Sequence, residues 1–176
     1  SYNKVTEQDV VDLHGFLMTL PASDTASLPH ELGFPFNIRR SLGGWKLLAI
    51  STDWQRPAAD PQMERGRYLV EALGHCGECH TPRNLIGGMD KSRWLAGGTS
   101  PDGKERIPNI TPHKDGIGGW SAKDIAYSLE TGFTPDFDSF GSNMADVVEN
   151  MAKLPKPDIE AIVAYLKKVK PVAKAN

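Results

Sequence analysis

The five residues Cys76-Gly77-Glu78-Cys79-His80 constrain this chain more than any others, because C-x-x-C-H is the attachment signal of a c-type haem. Two thiols three positions apart can form thioethers to the two vinyl groups of one porphyrin, and the adjoining imidazole then reaches the iron. These are the only cysteines in 176 residues. A thioredoxin-type dithiol should follow a strand in a βαβ unit, whereas the residues before Cys76 read as helical. A structural zinc site needs four ligands, and this chain would have to complete it from His75 or His80 and a distant histidine. A Cys76–Cys79 disulfide would close too small a loop to stabilise much. The expectation is one haem c, held covalently through Cys76 and Cys79, with His80 on its iron.

Such a group would count toward the core of a small domain. Hydrophobic residues make up 39% of the chain, beside 17 glycines and 13 prolines, which fits a helical protein with long ordered loops around a buried cofactor. A net charge of −2 and a pI near 6.2 provide no basic field, so nucleic acid is not an expected partner. No run of 18 apolar residues exists, and no transmembrane span is expected. Attachment of haem c takes place outside the bacterial cytoplasm, so a periplasmic location is expected. No signal peptide begins at Ser1, and the export signal is expected to have been removed or to lie upstream.

Along the chain, Thr6 to Leu20 reads as an amphipathic helix. Thr6 caps it, Val10, Leu13, Leu17 and Leu20 share a face, and Pro21 stops it. Residues 22–61 read as a linker with one short packed element, Leu42 to Ile50. Arg39 and Arg40 precede that element, so a peripheral membrane anchor is the alternative to packing on the protein. Asp60 and Pro61 open a helix that leads to Cys76. Thr81 to Gly119 reads as an ordered functional loop without a strand. Ser121 to Asp124 forms a capping box for a helix ended by Gly132, and Met144 to Leu154 forms another helix. The last starts at Pro157-Asp158, with Ile159, Ile162, Val163, Leu166 and Val169 on one apolar face.

The ligand opposite His80 decides between electron transfer and chemistry at iron. Met144, Met151, Met89 and His113 are the candidates. Met144 lies 64 residues after His80, where a Gly-rich loop meets a helix and can bring a thioether over the far face. Met151 shares an inward stripe with Val147 and Val148 and reads as core. Met89 is too close to the tether, and His113 reads as a loop histidine on the surface. The adjacent His75 is assigned no role.

These segments together resemble class I cytochrome c, in particular the haem domains of bacterial multi-haem cytochromes associated with dehydrogenases. The resemblance is carried by Gly66-Arg67-Tyr68-Leu69-Val70, Cys79-His80-Thr81-Pro82-Arg83-Asn84 and Pro108-Asn109-Ile110-Thr111-Pro112. It continues in Gly116-Ile117-Gly118-Gly119-Trp120-Ser121, Gly141-Ser142-Asn143-Met144 and Ile162-Val163-Ala164-Tyr165-Leu166. It covers Met63 to Pro171, and Phe34 to Arg39 with Gly44 to Leu48 resembles the family's interdomain segment. Many class I cytochromes have proline near the methionine ligand, where this chain has Asn143-Met144-Ala145.

The resemblance implies an all-α class I cytochrome c fold around one covalent haem, preceded by an N-terminal helix and linker. Gly66 would let the first helix of that fold cross the last at Tyr165 and Leu166. The Pro108 carbonyl would accept a hydrogen bond from His80. Asn109 and Trp120 would meet haem propionates or, alternatively, only structure their loops. The implied function is electron transfer by a His80/Met144-ligated haem with no catalytic residues. Its partners would be a dehydrogenase, another cytochrome or a terminal oxidase. A haem enzyme or gas sensor with a dissociable Met144 is the alternative. Residues 62–176 would form the haem domain. Residues 1–21 repeat the pattern of the closing helix: Asp9 to Leu17 matches Asp158 to Leu166, each with an aromatic seven positions after the aspartate. That helix is therefore expected to close an earlier domain, with a further attachment motif upstream of Ser1.

Overall fold

The computed structural model describes residues 2–100 and 103–174. A 3-10 turn at Tyr2–Lys4 precedes α1 (Glu7–Leu17), and α2 (Arg39–Ala49) follows a long irregular segment. Then α3 (Pro61–Tyr68) runs into a π-helical turn, Leu69–Leu73, and α4 (Gly77–His80) carries the C-x-x-C-H motif. The strands β1 (Gly98–Thr99) and β2 (Arg106–Ile107) pair antiparallel, Gly98 opposite Ile107. Three helices complete the chain: α5 (Ala122–Thr131), α6 (Asn143–Met151) and α7 (Lys156–Lys168). The described residues are thus mostly helical.

The core forms where α3 crosses α7. Along α7 the apolar spacing buries Ile159, Ile162, Val163 and Leu166, and Val169 follows them. Facing them are Met63, Leu69 and Val70. A Cβ on Gly66 would lie 2.0 Å from the carbonyl oxygen of Ala161, so the crossing leaves no room for a side chain. Arg65 grips Asp158 through two bonds, Nε to Oδ1 at 2.8 Å and Nη2 to Oδ2 at 2.7 Å, fixing the helices beside that contact.

Local signals place the ends of these helices. Asp60 accepts the Met63 amide at 2.8 Å with Pro61 in the first turn. Ser121 and Asp124 exchange capping-box bonds, and Gly132 closes α5 at φ 78°. Pro155 precedes α7, which starts at Lys156, one residue before the expected Pro157.

Three expectations need correction. Thr81 to Gly119 does contain strand: four residues pair, too few to show in any periodicity. The element from Leu42 to Ile50 is part of α2 but is hardly packed. Only Trp45 and Ala49 are partly covered, by the 86–88 loop, and no residue of the helix is buried. Finally, α1 ends at Leu17, three residues before the expected Leu20, and its apolar face is exposed.

The segment before α1 does pack, by polar contacts. Lys4 Nζ lies 3.0 Å from Glu71 Oε2, both side chains nearly inaccessible, and Tyr2 Oη lies 2.9 Å from His75 Nε2. The Thr6 amide donates to Tyr68 Oη, whose hydroxyl donates to Asp9.

Two outcomes follow from the crossing. Gly66→Ala should cost about 3 kcal/mol, the upper end of overpacking, because the clash is with backbone; a thermal unfolding curve matching wild type would show that the helices cross elsewhere. Arg65 holds the Asp158 carboxyl below its ordinary value. The stabilisation is therefore present above the unfolded pKa of about 3.9 and is lost as pH falls through the lower folded value. Asp158→Asn should cost no more than about 1 kcal/mol at pH 7, since Arg65 is half exposed. Denaturant titrations of variant and wild type should converge in acid.

Candidate functional site

The π-helical turn is the element that delivers the motif. Its amides bond one residue further back than in an α-helix, Gly74 N to Leu69 O at 2.7 Å, and Cys76 N reaches Val70 O at 3.0 Å. His75 then takes φ 37°, a left-handed bend that ends the helical run before α4. Cys76 precedes α4, Cys79 lies within it, and both are free thiols. Burial pushes the Cys76 thiol up to about 11. Gly77, between them, faces the ring of Trp94; a Cβ there would lie 2.1 Å from the ring edge.

His80 ends α4 and is buried. Its Nδ1 lies 2.8 Å from the carbonyl oxygen of Pro108. A carbonyl only accepts, so Nδ1 carries the proton, and in the neutral ring Nε2 keeps its lone pair. Burial holds the imidazole below its ordinary pKa, with the Pro108 carbonyl acting in the opposite direction. A buried neutral histidine with one nitrogen fixed by a carbonyl has the arrangement of a metal-ligating imidazole.

The loop that carries Pro108 is fastened on several sides. The Gly97 amide donates to His80 O at 2.8 Å, and the Ile110 amide to Leu95 O at 3.0 Å. Thr81 Oγ1 accepts the Leu95 amide at 3.1 Å. Asn109, directly after Pro108, donates to Val172 O at 2.7 Å and accepts from the amide and hydroxyl of Thr111, each at 2.8 Å. Both ends of its amide are thus engaged by protein groups. Trp120 is partly buried against the core, and its carbonyl accepts from Lys167 Nζ at 2.9 Å.

Met144 comes from another part of the chain. It lies partly buried in the first turn of α6, after a left-handed bend at Ser142, and α6 packs on α5. Met151, at the far end of the helix, is partly buried against the core. Met89 is partly buried near Trp45, and His113 Nδ1 accepts the Asp115 amide at 3.1 Å in its loop. Among the described residues no group of three or more His, Cys, Asp or Glu side chains converges on a metal-sized site.

The sequence reading missed what stands behind the motif. Glu71 is buried and accepts from Tyr165 Oη at 2.7 Å and from the Gln55 amide at 2.8 Å, besides pairing with Lys4. Trp94 Nε1 donates to Tyr165 Oη at 3.2 Å, which joins this network to Gly77. Burial, and after it the Glu71 charge, push the Tyr165 hydroxyl far above its ordinary value. One signal was available: Glu71 is an acid between Leu69-Val70 and Ala72-Leu73, in a helical run that is apolar on all sides.

No family model matches the chain. Among known proteins, it is 61% identical over 170 residues to the "Diheme cytochrome c-type" of Cereibacter sphaeroides, an alignment covering 96% of this chain and 56% of that one. It is 41% identical over 184 residues to the fructose dehydrogenase cytochrome subunit of Gluconobacter japonicus, covering 96% of this chain and 35% of that subunit. It is 34% identical over 180 residues to the gluconate 2-dehydrogenase cytochrome c subunit of Pantoea cypripedii, covering 95% and 40% respectively. The chain therefore spans about half the length of these relatives or less. The expected count of one haem is corrected by the first of them, whose name specifies two. That count came from the single C-x-x-C-H within a sequence that matches little more than half of that relative. By its sequence the chain is a c-type cytochrome, related to the cytochrome subunits of dehydrogenases.

Proposed function

We propose that Cys76 and Cys79 would hold a haem through thioether bonds, that His80 Nε2 and the Met144 sulfur would bind its iron, and that the chain carries electrons. The observation that carries this reading is the buried His80 with Nδ1 committed to Pro108 O, with Cys76 directly before the same short helix and Cys79 within it. These residues fit the group: two thiols at tether spacing, a neutral imidazole with a free lone pair, and Gly77, where the chain lies too close to Trp94 for a side chain. When bound, the haem supplies a one-electron ferric–ferrous couple. Pro108 sets the orientation of the His80 ring and raises its donor strength. Ligation by Met144 would favour the ferrous state and leave no coordination position for substrate. A structural and not a propionate-binding role for Asn109 is supported by its bonds to Val172 and Thr111; for Trp120 the propionate role stands as part of the proposal.

The names of the relatives support an electron carrier, not a catalytic subunit. The reading is transfer from a periplasmic dehydrogenase, or from another cytochrome, to a downstream acceptor such as a terminal oxidase. Within the chain, residues 62–176 are read as the haem domain, 22–61 as the linker and 1–21 as the helix of an earlier domain. Ser1, Pro101, Asp102, Ala175 and Asn176 of those ranges lie outside the described residues. A second haem in the complete polypeptide is supported by the name of the Cereibacter relative and by the repeated helix pattern of Asp9 to Leu17.

The ferric protein should show the weak far-red band of sulfur-to-iron ligation, and Met144→Ala should abolish it and admit carbon monoxide or cyanide to the iron. If the wild-type protein already binds these ligands, it is a haem enzyme or sensor; if the variant keeps the band, another sulfur holds the iron. Met151→Ala should keep the band and cost about 2 kcal/mol, the low end for a methionine that is only partly buried. Mass and haem content of the native polypeptide should give two haems per chain, and a value of one would remove the earlier domain.

A further inference from the structure

The described surface exposes large apolar side chains in and before α2 that the core does not use. Phe34 and Phe36, in the segment entering α2, are 81% and 76% exposed, and Leu47 and Leu48 on α2 are 87% and 78% exposed. The helix rests on the rest of the protein by one side only. Trp45 Nε1 donates to Ile86 O at 2.8 Å, and the Ala49 methyl lies at Gly88. At 100° per residue, Leu47 falls opposite the side of Trp45 and Ala49, with Gly44 and then Leu48 between it and Trp45. Nothing lies within 4 Å of where Cβ atoms on Gly43 and Gly44 would be, so this side is open.

Charge separates this face from the other exposed apolar helix. Between Glu31 and Asp53 the chain has no acidic residue and three basic ones, Arg39, Arg40 and Lys46. All three are exposed and none is in an ion pair among the described residues. Arg39 and Arg40 occupy the first turn of α2, where the helix dipole disfavours cations and no side chain caps the amides. Anions from outside would relieve both. By contrast, α1 exposes Val10, Leu13, Phe16 and Leu17 beside Glu7, Asp9 and Asp12, which anions would avoid.

Two adjacent leucines and two phenylalanines standing out of a basic, acid-free stretch match the composition of a helix lying in a lipid interface. The arginine and lysine stems can lie along the apolar surface while their heads reach phosphates. Two glycines within an 11-residue helix cost about 1 kcal/mol each relative to alanine, and little protein packing offsets that. We propose that α2 and residues 34–38 form a docking surface for an anionic phospholipid membrane, which they enter from one side without crossing. Among the described residues no helix is long and apolar enough to span one. The proposal adds a membrane contact to the electron-transfer reading and does not depend on it.

Co-sedimentation of the full, haem-loaded chain with vesicles of phosphatidylglycerol and phosphatidylcholine in equal parts tests the surface. The chain should pellet with these vesicles and remain in solution with phosphatidylcholine alone. Leu47→Glu with Leu48→Glu should reduce binding by at least about tenfold. Arg39→Gln and Arg40→Gln should each reduce it about fivefold, with added salt acting in the same direction. Val10→Glu on α1 should leave it unchanged. Leu47 and Leu48 are exposed, so the variants should keep the wild-type circular dichroism, and the visible spectrum in the same tubes reports the haem separately. Wild-type protein left in the supernatant, equal binding to neutral vesicles, or a double variant that pellets like wild type would each overturn the proposal. So would loss of a Leu47/Leu48-dependent dimer, seen by sedimentation equilibrium, as the only effect of the double variant.

Discussion

The contact between Gly66 and the backbone of Ala161 sets the position of nearly everything else that matters here. Because the helices touch at main-chain distance, Tyr165, one turn beyond Ala161, lies against α3 with no exposed surface. Its hydroxyl then reaches Glu71 on one side and is reached by Trp94 on the other. The Trp94 ring in turn lies against Gly77, inside the C-x-x-C-H turn. A packing constraint between two helices is thereby carried through two side chains, Tyr165 and Trp94, to the residue between the cysteines. A larger residue at 66 would move Tyr165 and loosen that chain of contacts before it touched the motif itself.

Glu71 makes the arrangement depend on the N-terminal segment as well. A buried carboxylate without partners is strongly destabilising, and this one is satisfied by a cation, an amide and a hydroxyl drawn from three parts of the chain. Lys4 brings the cation, and its ammonium also lies over the Trp54 ring, which Arg67 covers at 4.5 Å. Residues 2–9 are therefore bound to the stretch from Tyr68 to His75 that precedes the motif, through Tyr2, Lys4 and Thr6, while the apolar face of α1 stays open. Polar complementarity, and not burial of the helix stripe, holds this end of the chain.

The difference explains which features were legible in the sequence. Three helix starts were, because N-caps are local: Thr6, Asp60 and Ser121 each accept an amide three residues ahead. The stripe of α7 was, because a period near 3.6 reports burial on one side. The attachment motif was legible as chemistry, and the placement of Pro108 over His80 through resemblance. The exposure of the stripe on α1 and the sparse packing of α2 were not, because periodicity shows that a face is apolar without showing whether anything covers it. The Lys4–Glu71 pair spans 67 positions, and no local pattern links its members. The two strands have two residues each, which leaves no alternation to read.

The two sides of the motif are built by different means, and the difference bears on how an electron carrier would work. Behind α4, ordering comes from side chains, the Glu71, Tyr165 and Trp94 network. Around His80 it comes from backbone: the ring is oriented by a carbonyl, the carbonyl's neighbour Asn109 is tied to Val172, and the Gly97 amide returns to His80 O. Backbone bonds of this kind carry no titratable group, so protonation near neutrality would not shift the ring. An iron ligand fixed in that way can keep one geometry in both oxidation states, which keeps the reorganisation on electron transfer small.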